Sequence, residues 1–503
     1  MCLARRRNTT SNAGFTETVH MSTQQDRQTK IHVVFTSSGI NGTGSSVNYR
    51  SYRPTEKVLS NEEILSDLKN RCDGVDFLGT SGPIKGEEAT RKVKKDRAKL
   101  DGVLYFGTPL DSMVSLGLPI VAVHPWWGQW QEGFHPFTGM KVVTSFLPVI
   151  PDVNRSLFQS RLDDIASKIK IIRAVSRMDG LKVLVVTDRP VLGAFEPSPS
   201  QFDSTREEYE QTFLRNMKNT FRTEFVNISE DDRIKAMKKT GDEAQAVAEK
   251  WIAECEAIKG TNDREILKSA RLYLALKQLM LDHGCSAVAT EDYGVPTCDE
   301  DGFMPSQGLP SSQFCTDGVV ATSETLMDSL LTQQVGLFIT GSTGTNGDYI
   351  IDPPSGTAIL GHCEGPFNPY GDGKRVPYVI RNRPQVAFNT GGACVQVKLP
   401  ADETVTVAKL SMYRRKLSIF TGRTVSGDTL FPGWDDLLCR NKLAIKTDAQ
   451  RLFDNVDWKT FGWHKVVFYG DHRQQFKNLA KLIGFEAIEK DRAGVNAGIE
   501  SGK

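Results

Sequence analysis

The chain has 503 residues, more than one ordinary hydrophobic core can organise, so two to four domains are expected. Hydrophobic residues at 39%, charged residues at 24% and a formal net charge of +1 are typical of a globular protein in water, and they exclude a global field that would gather nucleic acid or an anionic membrane. No apolar run approaches the ~20 residues of a bilayer-spanning helix, and the nine cysteines are scattered without a CxxC pair, the usage of reduced thiols in a cytoplasmic protein.

Residues 1–29 read as a disordered tail. MCLARRRNTTSNAGFTETVH is polar, shows no helical stripe and carries Arg5, Arg6 and Arg7, which leaves a transit peptide as one reading. Met21 opens MSTQQDRQTK just before the first strand and is a second candidate for the translation start.

From Lys30 strand and helix alternate. KIHVVFTSSGI is a β-branched run that breaks at Ser37-Ser38-Gly39. NEEILSDLKNRC places apolar residues at helical spacing behind Asn61 as a cap. GVDFLGT, LDGVLYFGTP, GLPIVAVHP and MKVVTSFLPVI are nearly continuous apolar runs, the pattern of strands buried on both faces of a parallel sheet. These elements predict an N-terminal α/β domain over residues 30–165.

A second cycle over 166–340 starts with the helix LDDIASKIKIIRAVSRM, where Asp163 and Asp164 suit a helix N-terminus. KVLVVTDRP, CSAVATED and VGLFITGS read as strands, and REILKSARLYLALKQLMLDHG as a long helix. Both domains are thus expected to be doubly wound and Rossmann-like. From residue 341 to 503 the pattern alternates apolar and polar with Gly and Pro-Ala-Asp turns, which predicts a mostly antiparallel β-barrel domain.

Nucleotide signatures are absent. Gly39, Gly42 and Gly44 in SSGINGTGSS stand in the wrong order for GxGxxG, and GSTGTNGD lacks GK[ST]. The cluster HPWWGQWQEGFHPF, with Trp126, Trp127 and Trp130, suits stacking on a sugar face, a subunit interface or plain packing. Four segments offer metal or acid–base groups. They hold Asp317 and Glu324; Asp348 and Asp352; His362 and Glu364; and His464, Asp471 and His472. Carboxylates and imidazoles converging at strand ends would bind Mn²⁺ or Mg²⁺ and leave room for a ligand. Taken singly, Asp317 and Asp348 also suit turns or caps, His472 a surface position, and His362 a packed or turn-capping role.

The stretches GWHKVVFYGDHRQQFKNLAKLIGFEAIEKD, TAILGHCEGP and DGVVATSETLMDSLLTQQVGLFITGS, with the barrel run VQVKLPADETVTVAKL, resemble the L-fucose isomerase and L-arabinose isomerase superfamily, in a divergent branch. The likeness spans most of residues 30–490 and is specific in the last 190 or so. It implies an enzyme that interconverts aldoses and ketoses on a free sugar, with a divalent metal, usually Mn²⁺, held by two acids and a histidine. It implies His362 as a ligand and His464 as a ligand or substrate-positioning group. It also implies a homo-oligomer, trimer or hexamer, with sites formed between subunits. The place of the first acid falls on Asp317 by distance to Gly336 and on Glu324 by local wording. The place of the second, after LFIT, is held by Thr340 and Gly341, and Asp348 is the nearest acid. One carboxylate would take a proton from carbon 2 and a partner return it to carbon 1. Competing readings on the same scaffold are a sugar- or sugar-acid-binding protein and lyase or epimerase chemistry.

Overall fold

The computed structural model describes residues 27–36, 60–79, 83–125, 140–147, 155–188, 205–291, 305–383, 392–436 and 439–492. The loop at 37–46 and Trp126, Trp127 and Trp130 lie outside these residues. The fold is mixed α/β, with parallel sheets and a separate antiparallel sheet.

The first sheet is five-stranded and parallel, in the order Val75–Gly79, Thr29–Phe35, Gly102–Phe106, Ile120–Pro125, Val142–Leu147. Gly102–Phe106 is buried along its whole length, which explains why its sequence is a continuous apolar run and not an alternation. Residues Ile31, Val33, Leu104 and Val121 face helices Asn61–Lys69 and Arg155–Arg177, whereas Val34, Val103, Tyr105 and Ala122 face Gly86–Asp96 and Asp111–Val114. Helices therefore cover both faces. The cap of Asn61–Lys69 is Ser60, which exchanges bonds with Glu63 in a capping box, and not the expected Asn61.

The second sheet is parallel, in the order Val320–Thr322, Ala287–Thr290, Lys182–Val186, Glu224–Ile228. Leu184, Val288 and Ala321 pack on one side with Trp251 and Leu272; Val183, Ala287 and Val320 pack on the other with Ile169, Phe213 and Leu330. Helix Arg155–Arg177 runs unbroken across the boundary expected at 165, and its side chains belong to one core with residues of both sheets. Asp163 and Asp164 consequently sit inside the helix, where Asp164 pairs with Lys168 one turn on. Ahead of the first strand, Arg27 bridges Asp101 and Asp179 at 2.8 and 2.5 Å.

The run VGLFIT is not a strand. It is the end of helix Met327–Thr340, closed by Gly341 in the left-handed conformation at φ 84°. Apart from Asp328 the helix is buried from Met327 to Gly336, so it has no continuous polar face, and a short apolar run without periodicity does not separate a buried helix from a buried strand. Ser329 accepts from Lys409 Nζ at 2.6 Å and Thr332 Oγ1 accepts from Leu410 N–H at 2.9 Å. These bonds tie the helix to the third sheet.

In that sheet, Thr404–Ser411, His464–Tyr469, Thr345–Asp352, Thr357–His362, Asn441–Lys446 and Lys416–Val425 pair antiparallel in sequence, and the last pairs back to the first. The ring is closed, so none of the six strands is left with two free edges. Tyr349, Leu360, Val407, Phe420, Leu443 and Val467 fill it. Glu486–Glu489 adds in parallel to Lys416–Val425. A small sheet of Ala257–Lys259, Tyr378–Asn382 and Ala393–Val397 joins the helical region to the ring.

Candidate metal centre

The centre forms where the second parallel sheet meets the ring. Strand Thr357–His362 ends on His362, Asp348 lies opposite Gly361 on the next strand, and His464 opens its strand directly opposite Asp348. Register alone thus gathers three donors. The fourth arrives from the parallel sheet: edge strand Val320–Thr322 runs out into Ser323, Glu324 and Thr325. Side chains at carboxyl ends of parallel strands look into open crevices.

Glu324 and Thr325 adopt φ of 64° and 49°. Two consecutive non-glycine residues in the left-handed region, one of them β-branched, are strained by about 1–3 kcal/mol each. The segment is held by the Thr325 N–H, which donates to the Thr290 carbonyl at 3.1 Å. The result aims the Glu324 carboxylate at both imidazoles. Its Oε1 lies 3.7 Å from His362 Nε2 and its Oε2 lies 3.6 Å from His464 Nε2. Asp348 Oδ1 is 3.2 Å from the same His464 nitrogen. The two rings stand edge-on with centroids 5.4 Å apart.

Glu324, His362 and His464 are all buried, and each offers a ligand atom within 4.8 Å of the others. Neighbouring ligand atoms around a divalent ion with bonds near 2.1 Å stand about 3.0–3.4 Å apart, close to the separations seen here. Burial pushes the His362 pKa down to about 4, with His464 adding to the shift and Asp348 opposing it. The ring is neutral at pH 7, the form that coordinates metal. Its buried Nδ1 makes no hydrogen bond among the described residues. The nearest carboxylate, Glu364 Oε1, is 3.6 Å away and accepts the Ser323 N–H at 3.3 Å. A carboxylate behind a histidine fixes its ring and leaves the other nitrogen for a cation. This group can hold a divalent ion. Asp348, with its side chain 43% exposed, gives the centre its open side.

Of the residues the sequence singles out, Glu324, Asp348, His362 and His464 come together. Asp317 does not. It ends helix Gly308–Thr316, where it accepts from Tyr273 Oη at 3.1 Å and Gln313 Nε2 at 2.8 Å. A carboxylate whose oxygens are already used by two buried donors is a structural group; the acid that faces the two imidazoles is Glu324. Asp352 stands at the far end of its strand, opposite Thr357. His472 precedes helix Arg473–Ile483, near Gln475 Oε1 at 2.6 Å and the Tyr469 carbonyl at 2.9 Å; Asp471 Oδ1 accepts the Arg473 N–H at 3.2 Å. Sequence reasoning did not single out the buried acid Glu291, to which no contact with the centre is assigned. It directly follows Ala287–Thr290, is 1% exposed, and adjoins the Thr290 carbonyl that anchors Thr325. An acid immediately after an apolar strand was the available signal.

Comparison with protein-family models and with curated proteins finds no match. Among solved structures, a two-component system response regulator/GGDEF domain protein aligns at TM-score 0.24 and 13% identity, over 62% of this chain and 98% of that one. A sugar ABC transporter (sugar-binding protein) from Bacillus halodurans aligns at TM-score 0.14 and 12% identity, over 62% and 88%. Similarity at this level defines neither fold nor activity. No helix among the described residues is long and apolar enough to cross a membrane.

Proposed function

We propose that the protein is a metal-dependent ketol isomerase that interconverts an aldose and a ketose on a free sugar, as its resemblance to the fucose and arabinose isomerases implies. The observation that supports this reading is the convergence of Glu324, His362 and His464 from segments far apart in sequence, beside the accessible Asp348. Glu324, His362 and His464 would hold the ion. A mixed nitrogen and oxygen donor set suits Mn²⁺ over Mg²⁺, which prefers oxygen ligands and retains water. When bound, the ion supplies positive charge that lowers the energy of an oxyanion developing on the substrate carbonyl. Asp348 Oδ1 would take the proton from carbon 2 of the sugar and return it at carbon 1, while the hydroxyl proton on oxygen 2 passes to oxygen 1. The domain scheme of two doubly wound units and a barrel, and a homo-oligomeric state, belong to the same proposal.

Purified protein should carry manganese by elemental analysis, and with a panel of aldoses in D₂O it should exchange deuterium into carbon 1 or carbon 2 as ketose forms. EDTA should abolish both. His362→Ala should lose the metal, and unchanged metal content would reject the ligand role. Turnover without exchange and without ketose would overturn the isomerase; metal-dependent sugar binding without turnover would leave a binding protein.

A further inference from the structure

Beside the metal centre lies a cavity of about 510 Å³ that the proposed chemistry does not use. The small sheet forms one wall, and strands Lys416–Val425 and Asn441–Lys446 of the ring form the other. Lys442 and Ala444, two apart on one strand, line it from the same face. Cys439 stands between cavity and centre: its carbonyl accepts from Lys442 Nζ at 2.7 Å, and its Sγ is 4.0 Å from Asp348 Oδ2. Trp434 gives the cavity an apolar edge. A Cβ at Gly427 would overlap the Trp434 ring, so a glycine there lets the indole lie against main chain. Lys442 Nζ sits 5.4 Å from the ring centroid, within reach of cation–π attraction.

The buried charges of the cavity are positive. Lys442 is 8% exposed, and the Arg440 side chain 10%. Arg440 is fixed by Nε on the Asn382 carbonyl, Nη2 on Asn382 Oδ1 and Nη1 on the Asp436 carbonyl, which leaves further N–H donors of the guanidinium for a ligand. The Asp436 carboxylate lies 3.6 Å from Nη1 but is 77% exposed, where water screens it. The acids of the lining, Glu256, Asp428 and Asp435, are exposed and form the rim. Glu256 is paired with Lys398, and Asp435 accepts from Gln396 Nε2. Burial pushes the Lys442 pKa down to about 8, the mark of an ammonium withdrawn from water, and an anion beside it offsets that penalty.

We propose that this cavity binds a phosphorylated sugar, with the phosphate on Lys442 and Arg440 and the sugar towards Trp434 and the acidic rim. A phosphate monoester carries about −1.5 to −2 charges at pH 7, which matches two buried cations, whereas a carboxylate brings one charge. The volume falls within the ~300–1,000 Å³ of small-molecule sites, and a bare phosphate would leave most of it to water. The exposed carboxylates of Asp428 and Asp435 accept sugar hydroxyls, and the apolar face of a sugar suits the indole. Lys259, exposed on the small sheet, adds positive charge to the approach. The site is independent of the isomerase reading, because none of its binding groups is a candidate metal ligand.

The test titrates the full-length protein by calorimetry with glucose 6-phosphate, ribose 5-phosphate, inorganic phosphate and glucose. EDTA is present throughout, so that no phosphate is read at a metal ion. At least one sugar phosphate should bind saturably with a Kd below about 1 mM, inorganic phosphate should bind about tenfold more weakly or worse, and glucose should not bind. Lys442→Met should weaken the sugar phosphate by about tenfold or more. A second measurement uses the wild-type chain alone: the bound sugar phosphate should slow reductive methylation of Lys259 about tenfold, mapped by peptide mass spectrometry. No saturable binding by either sugar phosphate overturns the proposal. Inorganic phosphate binding as tightly as the esters removes the sugar from it, and glucose binding as tightly removes the anion; either result overturns it too. Undiminished labelling of Lys259 at saturation, or full affinity in Lys442→Met, places the ligand elsewhere and overturns the site. Sugar phosphate binding that persists in a protein without manganese or isomerase activity would sink the metal reading and leave this site standing.

Discussion

Two acids seven positions apart have opposite fates. Asp317 is surrounded by donors: Tyr273 and Gln313 satisfy its oxygens, and burial raises its pKa despite their help. Glu324 instead faces two imidazole nitrogens at 3.6 and 3.7 Å, on a backbone held at positive φ. A satisfied carboxylate stabilises a local arrangement. One placed against two imidazoles that could hold a metal with it, on strained backbone, marks a site where stability has been given up for geometry.

The contrast breaks most visibly on substitution of the acids. Glu324→Gln should lower deuterium exchange by about 10²–10⁴-fold and reduce bound manganese; equal, mild effects of Glu324→Gln and Asp317→Asn would erase the distinction. The next effect is one of pH in the metal-free protein. His362 has a folded pKa of about 4 against 6.5 for the free side chain, so between these values the unfolded chain binds more protons. The stability that comes with the neutral ring is full above pH 6.5 and is lost as pH falls towards 4, on the order of 3 kcal/mol. Urea unfolding after EDTA treatment measures this, and a wild-type slope retained in His362→Gln would assign it to other groups. Glu364→Gln sharpens the comparison from behind the histidine, with manganese affinity expected to fall about 10–100-fold while the fold is kept; unchanged calorimetric affinity would show that Glu364 does not position His362. The smallest effect belongs to Asp317→Asn. Because burial already disfavours the Asp317 charge, a neutral isostere should shift stability by no more than about 1 kcal/mol and leave metal content as in wild type, read by denaturant midpoint and elemental analysis.

Most strands of both parallel sheets were legible because burial on two faces writes itself as a continuous apolar run. The same signal misled at VGLFIT, where a helix buried all round carries no polar stripe. His362 and His464 stood out as imidazoles at the ends of apolar strands. The choice between Asp317 and Glu324 stayed open, since it turns on two dihedral angles and on where Tyr273 sits. The meeting of Glu324 with the two imidazoles left no spacing to read, because each residue comes from a separate segment.

Local pattern therefore determined the class of each region, as period and apolar content fix which face of an element avoids water. Only the tertiary structure decided which carboxylate meets the two histidines. Those contacts depend on the register of antiparallel pairing and on a left-handed turn after Thr322, and register shifted by a single residue would send every side chain to the other face.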